Sequence, residues 1–314
     1  MKRIIPFLFL LMLGITFACH PKEVDAEQRI QDSLREDSLT LKIGYLPTLE
    51  SLPLLVAERE GYFDSLKIKL LPFNAALDLD TAILNNRVQV ITSDICRVML
   101  LNLKDNEIKI ISKTQNPYFL ITANRQRLRK FKDLENRLIA IARHEMTDYL
   151  LDKMLEKGGV NIDDVNRPQI NSIPLRKQMI NYEELDATLL PEPYATACIL
   201  NGDRCLMSSS DLDAELSCLA INGHATTDFL DQMNAVAHAY NQAVVYLREN
   251  TPDLTSFFDI PKTVADTLSL PKYEKLTLPR EKDLEDCKSW LIDRKLLTKK
   301  YSFEGLTEER YLNK

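Results

Sequence analysis

The chain has 314 residues, 45% of them hydrophobic, and a formal charge of −6; past an N-terminal stretch, about 270 residues remain, ample for two lobes with real cores. That charge, with no Lys/Arg-rich block, offers no electrostatic footprint for nucleic acid and excludes it as a partner. Eight glycines fall well below the usual ~7%, so turns here rely on Asn, Asp and Pro.

The first element is a processing signal. Lys2 and Arg3 form a basic start, and residues 4–18 are apolar apart from Pro6, Gly14 and Thr16. That run is short for a bilayer crossing, which needs ~20 residues, and suits a secretory segment. Ala18 before Cys19 resembles a bacterial lipoprotein cleavage site with Cys19 as the lipidated residue. Thr16 and Phe17 depart from that pattern, so an ordinary signal peptide with a coincidental cysteine is the competing reading. Residues 20–40 carry three Lys/Arg and six Asp/Glu and read as a polar tether.

From Thr40 strands alternate with helices. Strands are expected at 41–46, 67–73, 88–92, 108–112 and 118–123, with helices at 52–60, 77–85 and from Asp94. A basic bridge at 124–132 leads to a second series: strand 138–142, helix 147–157 stopped at Gly158, strand 169–173, helix 175–180, strand 187–190, helix 194–200 and strand 206–209. A return strand at 216–221, an amphipathic stretch at 226–249 and helices near Val264 and 284–297 complete the chain. Strands separated by helices of this length indicate parallel βαβ units. Residues 85–94 and 182–192 form a weak internal repeat: a helix end, a polar turn, a buried strand and an acidic residue opening a helix. Of the five cysteines after Cys19, no pair has metal-type spacing. Cys198 and Cys205 flank a turn and are either bridged or buried as small apolar side chains.

Leu190-Pro191-Glu192-Pro193-Tyr194 holds a carboxylate between two prolines, which stiffen the loop by fixing φ and removing donors. With Leu41-Lys42-Ile43-Gly44-Tyr45-Leu46-Pro47 and Glu60-Gly61-Tyr62-Phe63, it resembles the extracytoplasmic solute-binding proteins of ABC importers. The branch resembled takes sulfonates, taurine, nitrate and thiamine pyrimidine precursors. The resemblance covers 41–221 and is densest at 44–63, 132–151 and 173–194. It implies the type II periplasmic-binding-protein fold: α/β, with two lobes, each a mostly parallel sheet flanked by helices, and a ligand cleft between them. The implied organisation is a lipoprotein signal at 1–19, the tether at 20–40, the first part of lobe 1 at 41–124, lobe 2 at 125–212, and the return to lobe 1 with C-terminal helices at 213–314. Hinges are expected near Asn124 and at 210–214.

In such proteins the ligand is held by loops after the strands of both lobes. The matching positions are Thr48 and Ser51, Ser93 and Asp94, His144, Glu145 and Thr147, and Glu192 with Tyr194. Tyr118 can stack on a flat ligand or belong to the core. Asp94 and Thr147 also read as plain helix caps, and Glu145 as a first-turn residue that complements the helix dipole. Glu145 departs from the small hydroxyl residues of sulfonate binders and would repel an anion, which favours a nitrogen-containing, pyrimidine-like solute. Arg143 and Arg176 suit a ligand carboxylate or, alternatively, a salt bridge.

The leading expectation is therefore a monomeric, lipid-anchored receptor of the cell envelope that captures a small solute without chemistry and delivers it to ABC permease subunits. No cofactor or metal is expected. One rival is an enzyme on the same fold, of pyrimidine-synthase or menaquinone-pathway type, for which His144 beside Glu145, with Glu192 opposite, is the compact candidate. Another is a lipoprotein adaptor or sensor that no longer binds a solute.

Overall fold

Nine short apolar segments become strands, and their pairing determines where the chain passes between lobes. In a computed structural model, which describes residues 35–63, 66–104 and 106–312, they are β1 (Leu41–Tyr45), β2 (Ile68–Pro72), β3 (Val90–Asp94), β4 (Ile108–Lys113), β5 (Tyr118–Thr122), β6 (Ile139–Ala140), β7 (Ala187–Pro191), β8 (Arg204–Ser208) and β9 (Ser217–Asn222). The expected signal segment, Cys19 and most of the tether lie outside the described residues.

One sheet has the order β2-β1-β3-β9-β4 and the other β6-β7-β5-β8. β9 runs antiparallel to β3 and β4, and β5 antiparallel to β7 and β8. Every other strand in each sheet shares one direction, so each lobe is a parallel sheet with a single reversed strand. Both reversed strands are the ones the chain enters on crossing from the other lobe. The first crossing therefore occupies 114–117, not the neighbourhood of Asn124. Asn124 lies beyond β5, which is already in the second sheet, and its backbone N–H donates to Asp203 Oδ1 at 3.1 Å. The return crossing spans 209–216, between β8 and β9.

The internal repeat has a structural basis. Without β2, the orders β1-β3-β9-β4 and β6-β7-β5-β8 correspond strand for strand in position and direction. The turns before β3 and β7 both place a residue in the left-handed region, Asn86 (φ 54°) and Glu183 (φ 60°). Each N–H closes onto a carbonyl three residues back, Ile83 at 3.1 Å and Ile180 at 2.9 Å. Asn tolerates that conformation better than Glu does.

The helices are α1 (Leu52–Arg59), α2 (Ala76–Leu84), α3 (Ile95–Leu101), α4 (Met146–Lys157), α5 (Ile173–Asn181), α6 (Tyr194–Leu200), α7 (Ala225–Asp228), α8 (Leu230–Glu249), α9 (Lys262–Thr267) and α10 (Glu281–Asp293). α1 carries Pro53 in its first turn, where the missing N–H costs nothing, and the chain turns away at Gly61 (φ +71°). Its buried Leu52, Leu55 and Val56 share a cluster with Met233, Ala237, Tyr240 and Val244 of α8. Each such fully buried aliphatic side chain contributes about 1.5–3 kcal/mol.

The expected strand at 169–173 does not form. Gln169 makes one isolated bridge to Ile141. Ser172 then caps α5 by accepting from Leu175 N at 3.3 Å, with Pro174 in the first turn. The helix therefore begins two residues earlier than the expected 175.

Candidate ligand-binding cleft

The carboxyl ends of β1 and β3 face lobe 2 across a narrow cavity. After β1 the chain folds back on itself: Ser51 Oγ donates to Leu46 O, and Leu46 N donates to Thr92 Oγ1 at 3.1 Å. This tight turn projects Glu50, only 3% exposed, towards the first crossing segment. There its carboxyl accepts from Thr114 Oγ1 and from Asn116 Nδ2 (3.0 Å). Burial raises the Glu50 carboxyl to about 8, and the nearby charge of Asp94 acts in the same direction. At the end of β3, Asp94 caps α3 by accepting from Arg97 N at 3.0 Å, and it also accepts from the backbone of Met146 in lobe 2. Burial and then Glu145 raise Asp94 to about 7. The capping role and the cleft position are thus compatible.

Lobe 2 contributes the turn between β6 and α4. His144 has φ 62° and its N–H donates to Asp148 Oδ2 at 3.1 Å. Glu145 Oε1 accepts from Thr147 Oγ1 at 2.7 Å, and Glu145 Oε2 lies 3.8 Å from Arg97 Nη1 in the opposite lobe. Arg97 is also paired with Asp80. Burial nevertheless raises Asp80 to about 6, and it opposes charge on Arg97, which Asp80 and Glu145 hold protonated. Below these groups Arg176, 1% exposed, donates through Nη1 to Ile170 O (2.7 Å) and Asn171 O (3.4 Å). Its Nε has no hydrogen-bond partner among the described residues, and neither has Ser93 Oγ. Burial lowers the Arg176 pKa from its ordinary value, while Glu145 supports its charge.

Glu50, Ser93, Asp94, Glu145 and Arg176 line a cavity of about 20 Å³, with Leu46, Ala76, Tyr118, Met146, Asn171 and Ile173 supplying the rest of the wall. That volume holds a water molecule and little more. The lobes are held together around it by Leu49 N donating to Glu192 O (3.1 Å) and Ile173 N donating to Asn74 O (3.0 Å). α10 spans the cleft as well: Trp290 Nε1 donates to Asp152 Oδ2 of α4 at 2.7 Å, Trp290 stands edge-on to Tyr149, and Arg294 pairs with Asp152. Larger spaces flank the cavity. One of about 410 Å³ lies along the two crossings, and one of about 260 Å³ lies at the mouth beside Asp80, Arg97, Arg143 and His144.

Of the residues expected from sequence, Ser93, Asp94, Tyr118 and Glu145 meet in this cavity. His144 stands at its mouth. Thr48, Ser51 and Thr147 are buried outside the cavity wall, and the Thr147 hydroxyl, in the first turn of α4, accepts from Ala142 N at 3.1 Å. The Glu192 carboxylate points into α6 and accepts from Thr196 N (2.9 Å) and Oγ1 (2.8 Å); only its carbonyl reaches the opposite lobe. Tyr194 opens α6 beside it and is outside the cavity wall. The sequence points to the loop 48–51 as a whole without singling out Glu50, and it gives no signal for Asn171. The available signal for Glu50 is an acidic residue in the short turn Leu49–Ser51 that precedes the apolar start of α1. Cys198 and Cys205 do not bond to each other: their sulfurs face Asn181 Oδ1 (3.8 Å) and Met207 O (3.5 Å).

Two mixed sheets of matching order, joined by two crossings and closed over a polar cavity, define the two-lobed fold of the periplasmic binding proteins. Residues 48–192 match the family model described as NMT1/THI5 like. The ligand-binding component of an ABC-type import system from Staphylococcus aureus, solved with zinc bound, aligns with a TM-score of 0.76 at 16% identity, over 87% of this chain and 97% of that one. The alkanesulfonate-binding protein of Xanthomonas axonopodis bound to MOPS gives 0.75 at 17% identity, over 86% and 98%. The nitrate-binding protein of Synechocystis gives 0.70 at 11% identity, over 83% of each chain. A search of curated protein sequences found no match.

Proposed function

We propose that the protein is the solute-binding component of an ABC importer, working outside the cytoplasm and anchored through a lipidated Cys19, and that it captures a small nitrogen-containing, pyrimidine-like solute between its lobes. The observation that carries this reading is the convergence of Glu50, Asp94 and Glu145 on one buried cavity, with Ser93 Oγ left without a partner beside them. Buried polar atoms are normally satisfied, so such a wall suits a ligand that brings its own donors and acceptors.

A protonated aminopyrimidine presents two parallel N–H donors, which match the two oxygens of a carboxylate. Carboxyl groups titrating near neutrality, as Glu50 and Asp94 do, can also donate to a ring nitrogen. Tyr118 and Ile173 supply flat apolar wall. An inorganic anion would face three carboxyl groups, and Arg97 is already engaged by Asp80 and Glu145. Entry requires the lobes to part, since the closed cavity admits only water. The ligand would then shift the population towards closure by bridging Asp94 and Glu145. Capture without chemistry is favoured because Glu192, one part of the rival catalytic grouping, is committed to Thr196.

The test is a thermal-shift screen on protein lacking residues 1–19, with thiamine, its pyrimidine precursors, taurine, alkylsulfonates, nitrate and riboflavin-like rings. A binder at 100 times its Kd stabilises by about 2.7 kcal/mol. A shift with a pyrimidine and none with sulfonates is expected, whereas shifts with sulfonates alone would refute the acidic-pocket argument.

A further inference from the structure

The sulfurs of Cys96 on α3 and Cys287 on α10 lie 2.9 Å apart, although 191 positions separate the residues in sequence. Both side chains are fully buried. This separation is within about 1 Å of the length of an S–S bond, about 2.0 Å. The other cysteines show no such approach: Cys198 and Cys205 face amide and carbonyl oxygens, and Cys218, on β9, is coupled to Cys287 only through charge.

We infer that Cys96 and Cys287 are a disulfide-forming pair that staples the C-terminal helix to the first lobe. The oxidant is an external disulfide of the glutathione or protein-dithiol class. One chain thiolate attacks it, forming a mixed disulfide and releasing one external thiolate. The second chain thiolate then attacks the chain sulfur of that mixed disulfide, closing the Cys96–Cys287 bond and releasing the other external thiol. The two chain thiols lose two electrons and two protons, and the external disulfide gains them. Burial raises both thiols, Cys96 well above its ordinary range, which leaves little thiolate once the chain is folded. The bond therefore closes during folding, before the pair is sealed.

The location gives the bond a consequence for the cleft. Cys96 lies two residues after Asp94, in the helix that Asp94 caps. Cys287 lies one turn before Trp290, and Arg294 follows a turn later; both side chains reach across to Asp152 of α4. Fixing α10 on α3 would thus hold the span that joins the lobes, the N-terminal end of which also binds the return crossing, where Asp283 Oδ1 accepts from Glu215 N at 3.2 Å. This holds whichever solute the cleft accepts.

The test is to refold the full chain in a glutathione redox buffer, block remaining thiols with N-ethylmaleimide and map peptides without reduction. The expected result is one linked pair joining the Cys96 and Cys287 peptides, about 2 Da lighter than the sum of the free thiol forms, and absent from Cys287→Ala. Melting should occur several degrees higher for oxidised than for reduced protein, and Cys96→Ala/Cys287→Ala should abolish that difference. Recovery of both cysteines as blocked thiols, or linkage of either to another cysteine, would overturn the assignment. Equal melting temperatures for the linked and reduced chains would overturn the staple.

Discussion

Replacing Glu50 by Gln separates the electrostatics of the cleft from its shape. Burial raises the Glu50 carboxyl from 4.5 to about 8, so between those values the folded chain holds a proton that the unfolded chain has released. The unfolded state then binds fewer protons, and stability must fall as pH rises, by about 1.4 kcal/mol per pH unit for one group. Over the whole interval the ceiling is about 5 kcal/mol. The stabilised side lies below pH 4.5, and the contribution is gone above about 8. Gln is neutral throughout and keeps both contacts: its oxygen can accept from Asn116 Nδ2, and its amide can donate to the Thr114 hydroxyl. Urea unfolding of both proteins at pH 5, 6, 7 and 8 should therefore give near-equal stability at pH 5 and a growing advantage for Glu50→Gln towards pH 8. Asp94 and Asp80 are raised in the same direction, so the difference between the two proteins is the quantity to read. A constant difference across the four pH values would refute a buried, protonated Glu50.

Arg176→Met should leave urea stability within about 1 kcal/mol, because lost hydrogen bonds to Ile170 and Asn171 are offset by no longer burying a guanidinium charge. A loss above about 3 kcal/mol would show the cation to be structural. Glu183→Gly relieves the left-handed backbone at φ 60° and should stabilise by about 1 kcal/mol; its ion pair with a largely exposed Arg125 contributes little. A lower melting temperature would count against the strain. Gly158→Ala places a Cβ 2.1 Å from Phe131 Cγ and should cost about 1–3 kcal/mol, read by the same unfolding assay; an unchanged midpoint would mean that Phe131 moves freely aside.

The strands were legible because each is a short apolar run bounded by polar turns, and the left-handed turn at Asn86 announced itself through a residue that tolerates it. Asp94 was legible for the same local reason, an acidic residue opening a helix. The segment at 169–173 misled because Gln169-Ile170-Asn171-Ser172-Ile173 alternates like a strand, while the local signal that wins is Ser172 before Ile173-Pro174. The position of the first crossing depends on which sheet accepts β5, a long-range pairing that apolar alternation does not encode. Glu50 is placed by a three-residue helical turn, Leu49–Ser51, whose side-chain direction no periodicity predicts. The approach of Cys96 to Cys287 comes from α10 packing on α3, which only the folded chain brings about.

The most direct measurement is a crystal structure of the protein grown with a hydroxymethyl aminopyrimidine at saturating concentration. The account predicts density for the ring between Tyr118 and Ile173, with its nitrogens on Asp94, Glu145 or Glu50 and the lobes closed around it. Density confined to the larger space along the crossings, or a closed cavity holding water alone, would contradict it.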